Sequence, residues 1–175
     1  MSHQLRKVAI LGASVRLGAF IFRALHQSNK FDITVISRFT SKPAEYPALT
    51  KVVQAHDEYP PREMVQVFRD HDAVVLDLGL VAENHLGELA RASVDAGGKR
   101  LIAFGYGADN TNKEAVKIFP AVAAKARAID HPKSLEQPGW ATQTDFFGIT
   151  PEDKTAEILD DGNAEFSATT RDGIG

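Results

Sequence analysis

The chain has 175 residues, 43% of them hydrophobic and 25% charged, with 20 Lys plus Arg against 23 Asp plus Glu for a formal net charge of -3. That is enough to bury one core but hardly two, and it leaves no basic excess with which to collect nucleic acid. With no cysteine, a disulfide framework, a thiolate nucleophile and a cysteine-held metal are excluded.

Lys7 to Leu11 reads as a buried strand, because Val8, Ala9, Ile10 and Leu11 are nearly continuous and include β-branched residues. Met1 to Lys7 enters that strand without the apolar core and cleavage site of a secretory signal. No apolar run approaches the roughly 18 residues that cross a bilayer. A soluble, cytoplasmic protein without a membrane partner is therefore expected. After Gly12-Ala13-Ser14 and Arg16-Leu17-Gly18, the apolar residues Phe20, Ile21, Ala24 and Leu25 recur at helical spacing until Ser28-Asn29.

Phe31 to Ser37 supplies a second strand through Ile33, Val35 and Ile36, and Lys51 to Ala55 a short third after a polar, proline-containing loop. Pro60-Pro61 opens a helical pattern through Met64, Val65, Val67 and Phe68; a proline in the first turn costs nothing, because its missing N–H would be unpaired there. Ala73 to Leu76 is the clearest central strand. Leu86, Leu89, Ala90, Ser93 and Val94 follow on one helical face, Gly97-Gly98 stops that helix, and Arg100 to Phe104 forms the fifth strand. Strands separated by helices of this length pair in parallel through right-handed crossovers. The expected fold class is α/β, a doubly wound, Rossmann-like parallel sheet.

Thr111 to Glu114 has the spacing of a capping box, opening a helix that continues past Pro120 or restarts there, as far as Ile129. Beyond His131-Pro132 the pattern thins. Trp140 to Phe147 reads as a polar-interrupted strand, and Glu157 to Leu159 with Phe166 to Thr170 as a small peripheral pair. One domain spanning 1–175 is expected, with its core in 5–130 and a reduced C-terminal extension over 131–175.

In open parallel sheets, ligands settle beyond the carboxyl ends of the strands, where the Gly12 to Gly18 segment falls. Gly12 suits a tight turn and Gly18 a close helix, while the N–H groups of Ser14, Arg16 and Leu17 are placed for a phosphate. Arg38, at the end of the second strand and helped by Lys42, suits the 2′-phosphate of NADP where a carboxylate would suit NAD. Val15 opposes this, because its branched side chain adds two methyl groups where the pyrophosphate would lie and disfavours positive φ. Asp77 has three roles open to it: repelling a pyrophosphate, acting as an acid or base, or accepting N–H groups from the following turn.

The 6 histidines form neither His-x-x-x-His nor His-Glu-x-x-His, so no metal is expected. A phosphate loop ending in Gly-Lys-Ser/Thr and a Gly-x-Ser-x-Gly elbow are also missing, which sets ATPases and serine hydrolases aside.

With Gly12-Ala13-Ser14, Arg38, Asp72 to Val75 and Lys125 in view, residues 5 to 130 resemble the NmrA-like and isoflavone-reductase-like branch of the atypical short-chain dehydrogenases. A fainter echo runs through Gly139-Trp140, Asp145 to Phe147, Asp161 to Asn163, Phe166 to Thr170 and Asp172 to Gly175. The resemblance implies an NADPH-dependent reductase of a small enone or carbonyl metabolite, or an NADP-binding regulator without turnover. It implies Gly12, Ser14, Arg16, Leu17, Gly18, Arg38, Lys42 and Lys125 as cofactor-binding residues. Lys125 would orient ribose and assist proton delivery, and Tyr106 is a second candidate donor. Val15 departs from the family's middle glycine, and Phe104 and Gly105 replace polar and acidic residues usual near the nicotinamide. Family members also extend well past the segment resembling Phe166 to Gly175, so the chain reads as a C-terminally short member whose substrate pocket is completed by a homodimer partner if at all. Two function classes follow: an NADPH-dependent oxidoreductase, and a cofactor-poor descendant that binds, regulates, or catalyses a non-redox isomerisation or cyclisation.

Overall fold

The computed structural model describes residues 5–14, 16–78, 85–103, 113, 117, 123, 127, 132–136, 141–143, 149–150 and 155–156. Its elements are β1 (Lys7–Leu11), α1 (Arg16–Gln27), β2 (Asp32–Arg38), β3 (Lys51–Ala55), α2 (Pro61–Phe68), β4 (Ala73–Leu76), α3 (Leu86–Asp95), β5 (Arg100–Ile102), β6 (Ala141–Gln143), β7 (Ile149–Thr150) and β8 (Thr155–Ala156). β1 to β6 form one sheet in the order β3-β2-β1-β4-β5-β6, with every neighbouring pair parallel. The chain winds outward one way from β1 to β3, then crosses back to β4 and winds the other way. This is the doubly wound, Rossmann-like α/β fold.

Side-chain alternation along the strands sorts the core onto two faces. Ala9, Leu11, Ile36, Val74, Leu76 and Leu101 join Met64 and Phe68 of α2 and Leu86 and Leu89 of α3 on one side. Val8, Ile10, Val35, Ala73 and Val75 join Phe22 of α1 on the other. Both faces of β1 and β4 are thus covered, which explains why their sequences read as continuous apolar runs rather than alternating ones. Phe22 is buried, with the Tyr46 ring edge-on to it at a centroid distance of 5.2 Å.

The helices stop where their sequences expect. Asn29 takes up φ 54° just beyond α1 and Gly97 φ 82° just beyond α3, the left-handed conformation that ends helices and that Gly and Asn tolerate best. Strand ends differ by small steps: β2 runs one residue later than the sequence suggests at each end, and β5 is already finished at Ile102. β6 occupies three residues of the Trp140 to Phe147 stretch and extends the sheet beside β5. The small antiparallel pair is β7 with β8; Glu157 to Leu159 and Phe166 to Thr170 lie outside the described residues. Positions 113, 117, 123 and 127 are helical, in line with the segment that follows the capping-box spacing.

At the amino ends of the strands, Asp72 ties three of them together. Its carboxylate accepts the N–H groups of Arg6 (3.0 Å), just before β1, and of Lys7 (2.9 Å), its first residue, and a hydrogen bond from Nζ of Lys99 (2.6 Å), just before β5. Its own N–H donates to the Lys7 carbonyl, and its carbonyl accepts the N–H groups of Lys99 and Arg100. These bonds hold the Asp72 carboxyl well below the usual carboxylate range, with Lys99 as the nearest compensating charge. No described helix is long and apolar enough to cross a membrane.

Candidate functional site

The register fixes where the site falls. Leu11 lies opposite Ile36 of β2 and Leu76 of β4, so Gly12 and Asp77 leave the sheet level with Ser37, while β2 continues to Arg38 beside β3, at the point where the strand order reverses. There the structure opens a cleft of about 930 Å³ lined by Gly12, Ser14, Arg38, Lys42, Tyr59 and Asp77, among others. That size suits a small-molecule or cofactor site, and its place at the topological switch point is where such ligands bind in this architecture. A second cleft of about 550 Å³, touching Lys7, Lys51, Arg69 and His71, lies at the opposite, amino ends of the strands.

The turn from β1 into α1 is built on two glycines. Gly12 has φ 89°, and a Cβ there would lie 2.1 Å from the Asp77 carbonyl oxygen. A Cβ on Gly18 would lie 2.1 Å from the Gly12 carbonyl oxygen and 3.0 Å from Asp77 Oδ2. The first residue is therefore glycine for conformation and space, and the second for helix approach alone. Gly18 N–H donates to Asp77 Oδ2 at 2.5 Å, while Asp77 N–H donates to the Leu11 carbonyl at 2.9 Å. Of the roles open to Asp77, acceptance of a backbone N–H is what the geometry displays, with Gly18 of α1 as a donor; residues 79–84 of the turn after β4 lie outside the described residues.

The far wall sets Arg38 and Lys42 beside Asp57 and Glu58. Arg38 ends β2 with its side chain half exposed and a guanidinium nitrogen 3.9 Å from Asp57 Oδ2, and Lys42 follows in the next loop. Asp57 also accepts the N–H of Thr40 at 3.3 Å and the Thr40 hydroxyl. The Thr40 hydroxyl, and then its N–H together with the Arg38 and His56 charges, hold the Asp57 carboxyl below its ordinary value against the opposing effect of burial. Tyr59, buried with φ 47°, meets His85 edge-on at 5.6 Å. Burial pushes the Tyr59 hydroxyl up, with Arg38 pulling the other way. Tyr46 shares a side-chain hydrogen bond with Ser14, and burial outweighs that bond and raises its hydroxyl as well. Through Tyr46 the loop between β2 and β3 is fastened both to Ser14 and to Phe22 of α1.

Gly12, Ser14, Arg38 and Lys42 are thus gathered in one cleft, with Gly18 beneath its floor and Leu17 half-buried in the first turn of α1. Arg16 opens α1. Val15, Phe104, Gly105, Tyr106 and Lys125 lie outside the described residues. Sequence reasoning missed Tyr46, Asp57, Tyr59 and His85. Asp57 and Tyr59 had a usable signal, since they directly follow the carboxyl end of a strand. Tyr46 and His85 had none, because only the folded loops bring them to the cleft.

The class defined by these observations is the Rossmann-like fold with a ligand cleft at its switch point. No family model matches the chain. The chain is 29% identical over 182 residues to Oxidoreductase aprR of Aspergillus flavus, covering 97% of this chain and 61% of that protein; it therefore spans about three fifths of that relative's length. Among solved structures it is similar to the leucoanthocyanidin reductase–NADPH binary complex from Vitis vinifera, with TM-score 0.60, 18% identity, and 78% of this chain and 45% of that one covered. It is also similar to a putative epimerase from Bacteroides thetaiotaomicron, with TM-score 0.60, 18% identity and coverage of 81% and 73%. A third is a short-chain dehydrogenase/reductase from Veillonella parvula in complex with NADP, with TM-score 0.55, 16% identity and coverage of 74% and 64%. At these identities the structures speak for the fold.

Proposed function

We propose that the chain carries the cofactor half of an NADP(H)-dependent oxidoreductase of the NmrA-like, isoflavone-reductase-like kind, acting on a small enone or carbonyl metabolite. The observation that carries this reading is one cleft holding the β1–α1 glycine turn at one side and Arg38 with Lys42 at the other. Gly12 lets the backbone come close to a pyrophosphate, Ser14 offers a hydroxyl and an N–H, and Arg38 with Lys42 takes the 2′-phosphate. Arg16, Leu17 and Gly18 place the first turn of α1 beneath the phosphates. When bound, nicotinamide supplies or accepts a hydride. Lys125 orients the ribose and assists proton delivery to the reduced product, with Tyr106 as a second donor. The similarity to a named oxidoreductase over nearly the whole chain supports this reading.

The specific test is calorimetry with NADPH and NADH on the wild type and on Arg38→Ala. Loss of a charge-assisted phosphate contact should weaken NADPH by about 10- to 100-fold and NADH by less than about threefold. Equal losses for both cofactors would remove the 2′-phosphate role. A second reading, a cofactor-poor binding or regulatory protein or a non-redox isomerase or cyclase, is favoured by the Asp77 carboxylate standing at the α1 N-terminus. On that reading the wild type would show no saturable NADPH binding, and Val15→Gly would gain it.

A further inference from the structure

The first four N–H groups of a helix have no partner within it, and together they carry the positive end of the helix dipole. Gly18 is the third residue of α1, so its N–H is one of the four. In this chain a carboxylate has already taken it: Asp77 Oδ2 accepts Gly18 N–H at 2.5 Å. The backbone that presents the carboxylate is itself fixed. Asp77 is anchored by its own N–H to the Leu11 carbonyl at 2.9 Å, and its carbonyl sits so close to Gly12 that no side chain fits there. It also lines the same cleft as Ser14, Arg38 and Lys42.

The cleft therefore holds a carboxylate at the helix end, while at the β2 end Arg38 and Lys42 share the lining with Asp57 and Glu58. We infer that Asp77 is a specificity-determining residue that stands in for a ligand phosphate at the α1 N-terminus and weakens every ligand placing a pyrophosphate there. A dinucleotide without a 2′-phosphate meets the Asp77 carboxylate without a contact to Arg38 or Lys42 to offset it. One with a 2′-phosphate gains affinity at Arg38 and Lys42, while the penalty at Asp77 falls on both dinucleotides alike and spares ligands without a pyrophosphate. This inference rests on the NADP reading above.

The test is Asp77→Asn, which removes the charge while keeping an oxygen that can accept Gly18 N–H, with Asp77→Ser as a second uncharged variant should the first fold poorly. Affinities for NADP, NAD and adenosine 2′-monophosphate are measured by calorimetry on each protein. Removing one like charge a few ångströms from a partly solvated pyrophosphate should tighten NADP and NAD alike by about tenfold. Adenosine 2′-monophosphate, which has no pyrophosphate, should change by less than about twofold. NADP binding that is equal in wild type and variants overturns the inference and leaves the cofactor reading standing. Equal tightening of all three ligands also overturns it, because the charge would then act on the cleft as a whole. Absence of NADP binding in wild type and both variants overturns the cofactor reading and the inference together.

Discussion

Replacing Gly18 by alanine sets two effects against each other. In an exposed helix the change stabilises by up to about 1 kcal/mol, because alanine is the better helix former. Here the new methyl carbon would lie 2.1 Å from the Gly12 carbonyl oxygen and 3.0 Å from Asp77 Oδ2. The first neighbour is backbone in a turn that cannot swing aside, so α1 must retreat from the sheet by about an ångström. Overpacking of this kind costs up to about 3 kcal/mol, and retreat also stretches the bond from Gly18 N–H to the Asp77 carboxylate, worth about 1.5 to 3 kcal/mol. After the propensity gain, a net loss of about 2 to 4 kcal/mol is expected. For a domain of this size that lowers the thermal midpoint by about 4 to 16 °C. Thermal and urea unfolding followed by circular dichroism measure it, with Gly97→Ala as a comparison. Gly97, unlike Gly18, has positive φ, and nothing lies within 4 Å of a Cβ there, so that variant should lose only about 1 to 2 kcal/mol to backbone strain. A Gly18→Ala protein as stable as the wild type, or more stable, would refute the close-approach reasoning.

Two further predictions concern the other end of the sheet. Asp72 is held below its ordinary pKa of 3.8 by hydrogen bonds from Lys7, Lys99 and Arg6, so its contribution is complete above that value and drains away as pH falls toward the folded-state value. Asp72→Asn should therefore lower stability near neutrality and flatten its fall below about pH 4, as read from urea midpoints; an unchanged acid slope would contradict the assignment. The half-buried His71 is pushed below its usual 6.5 mainly by burial, with Lys51 and Lys7 adding to the effect against a hydrogen bond to the Phe68 carbonyl. Its stabilising contribution is present above pH 6.5 and is lost as pH falls through the folded value. Its imidazole resonances should titrate below the ordinary histidine value of 6.5, and a midpoint at or above 6.5 would count against the burial.

The sheet was legible because burial on both faces writes itself into the chain. Val8 to Leu11 and Ala73 to Leu76 can be read as central strands with no knowledge of their neighbours, and Asn29 and Gly97 mark helix ends by conformational tolerance. β6, β7 and β8 were harder, since strands of two or three residues bury too little to impose a period. In the site, Gly12, Gly18 and Arg38 stood out because each answers a local demand: a turn, a close approach, a charge at a strand end. Asp77 was noticed but its partner was not, because the Gly18 N–H reaches it only through the pairing of β1 with β4, 59 positions apart in sequence. Tyr46 has the same difficulty. Its bond to Ser14 and its contact with Phe22 depend on how the loop after β2 folds back, which no periodicity encodes.

The Asp72 clasp and the cleft stand at opposite ends of strands only four or five residues long, about 15 Å apart. The Asp72 clasp thus fastens the scaffold away from any ligand, whereas at the cleft Gly12 and Asp77 serve both the scaffold and the site. Substitutions at the exposed Arg38 and Lys42 can accumulate with less penalty in folding than those at Gly12, Gly18 or Asp77, so this architecture lends itself to acquiring new ligands by drift, and to laboratory redesign that rewrites the rim while leaving the foundation alone.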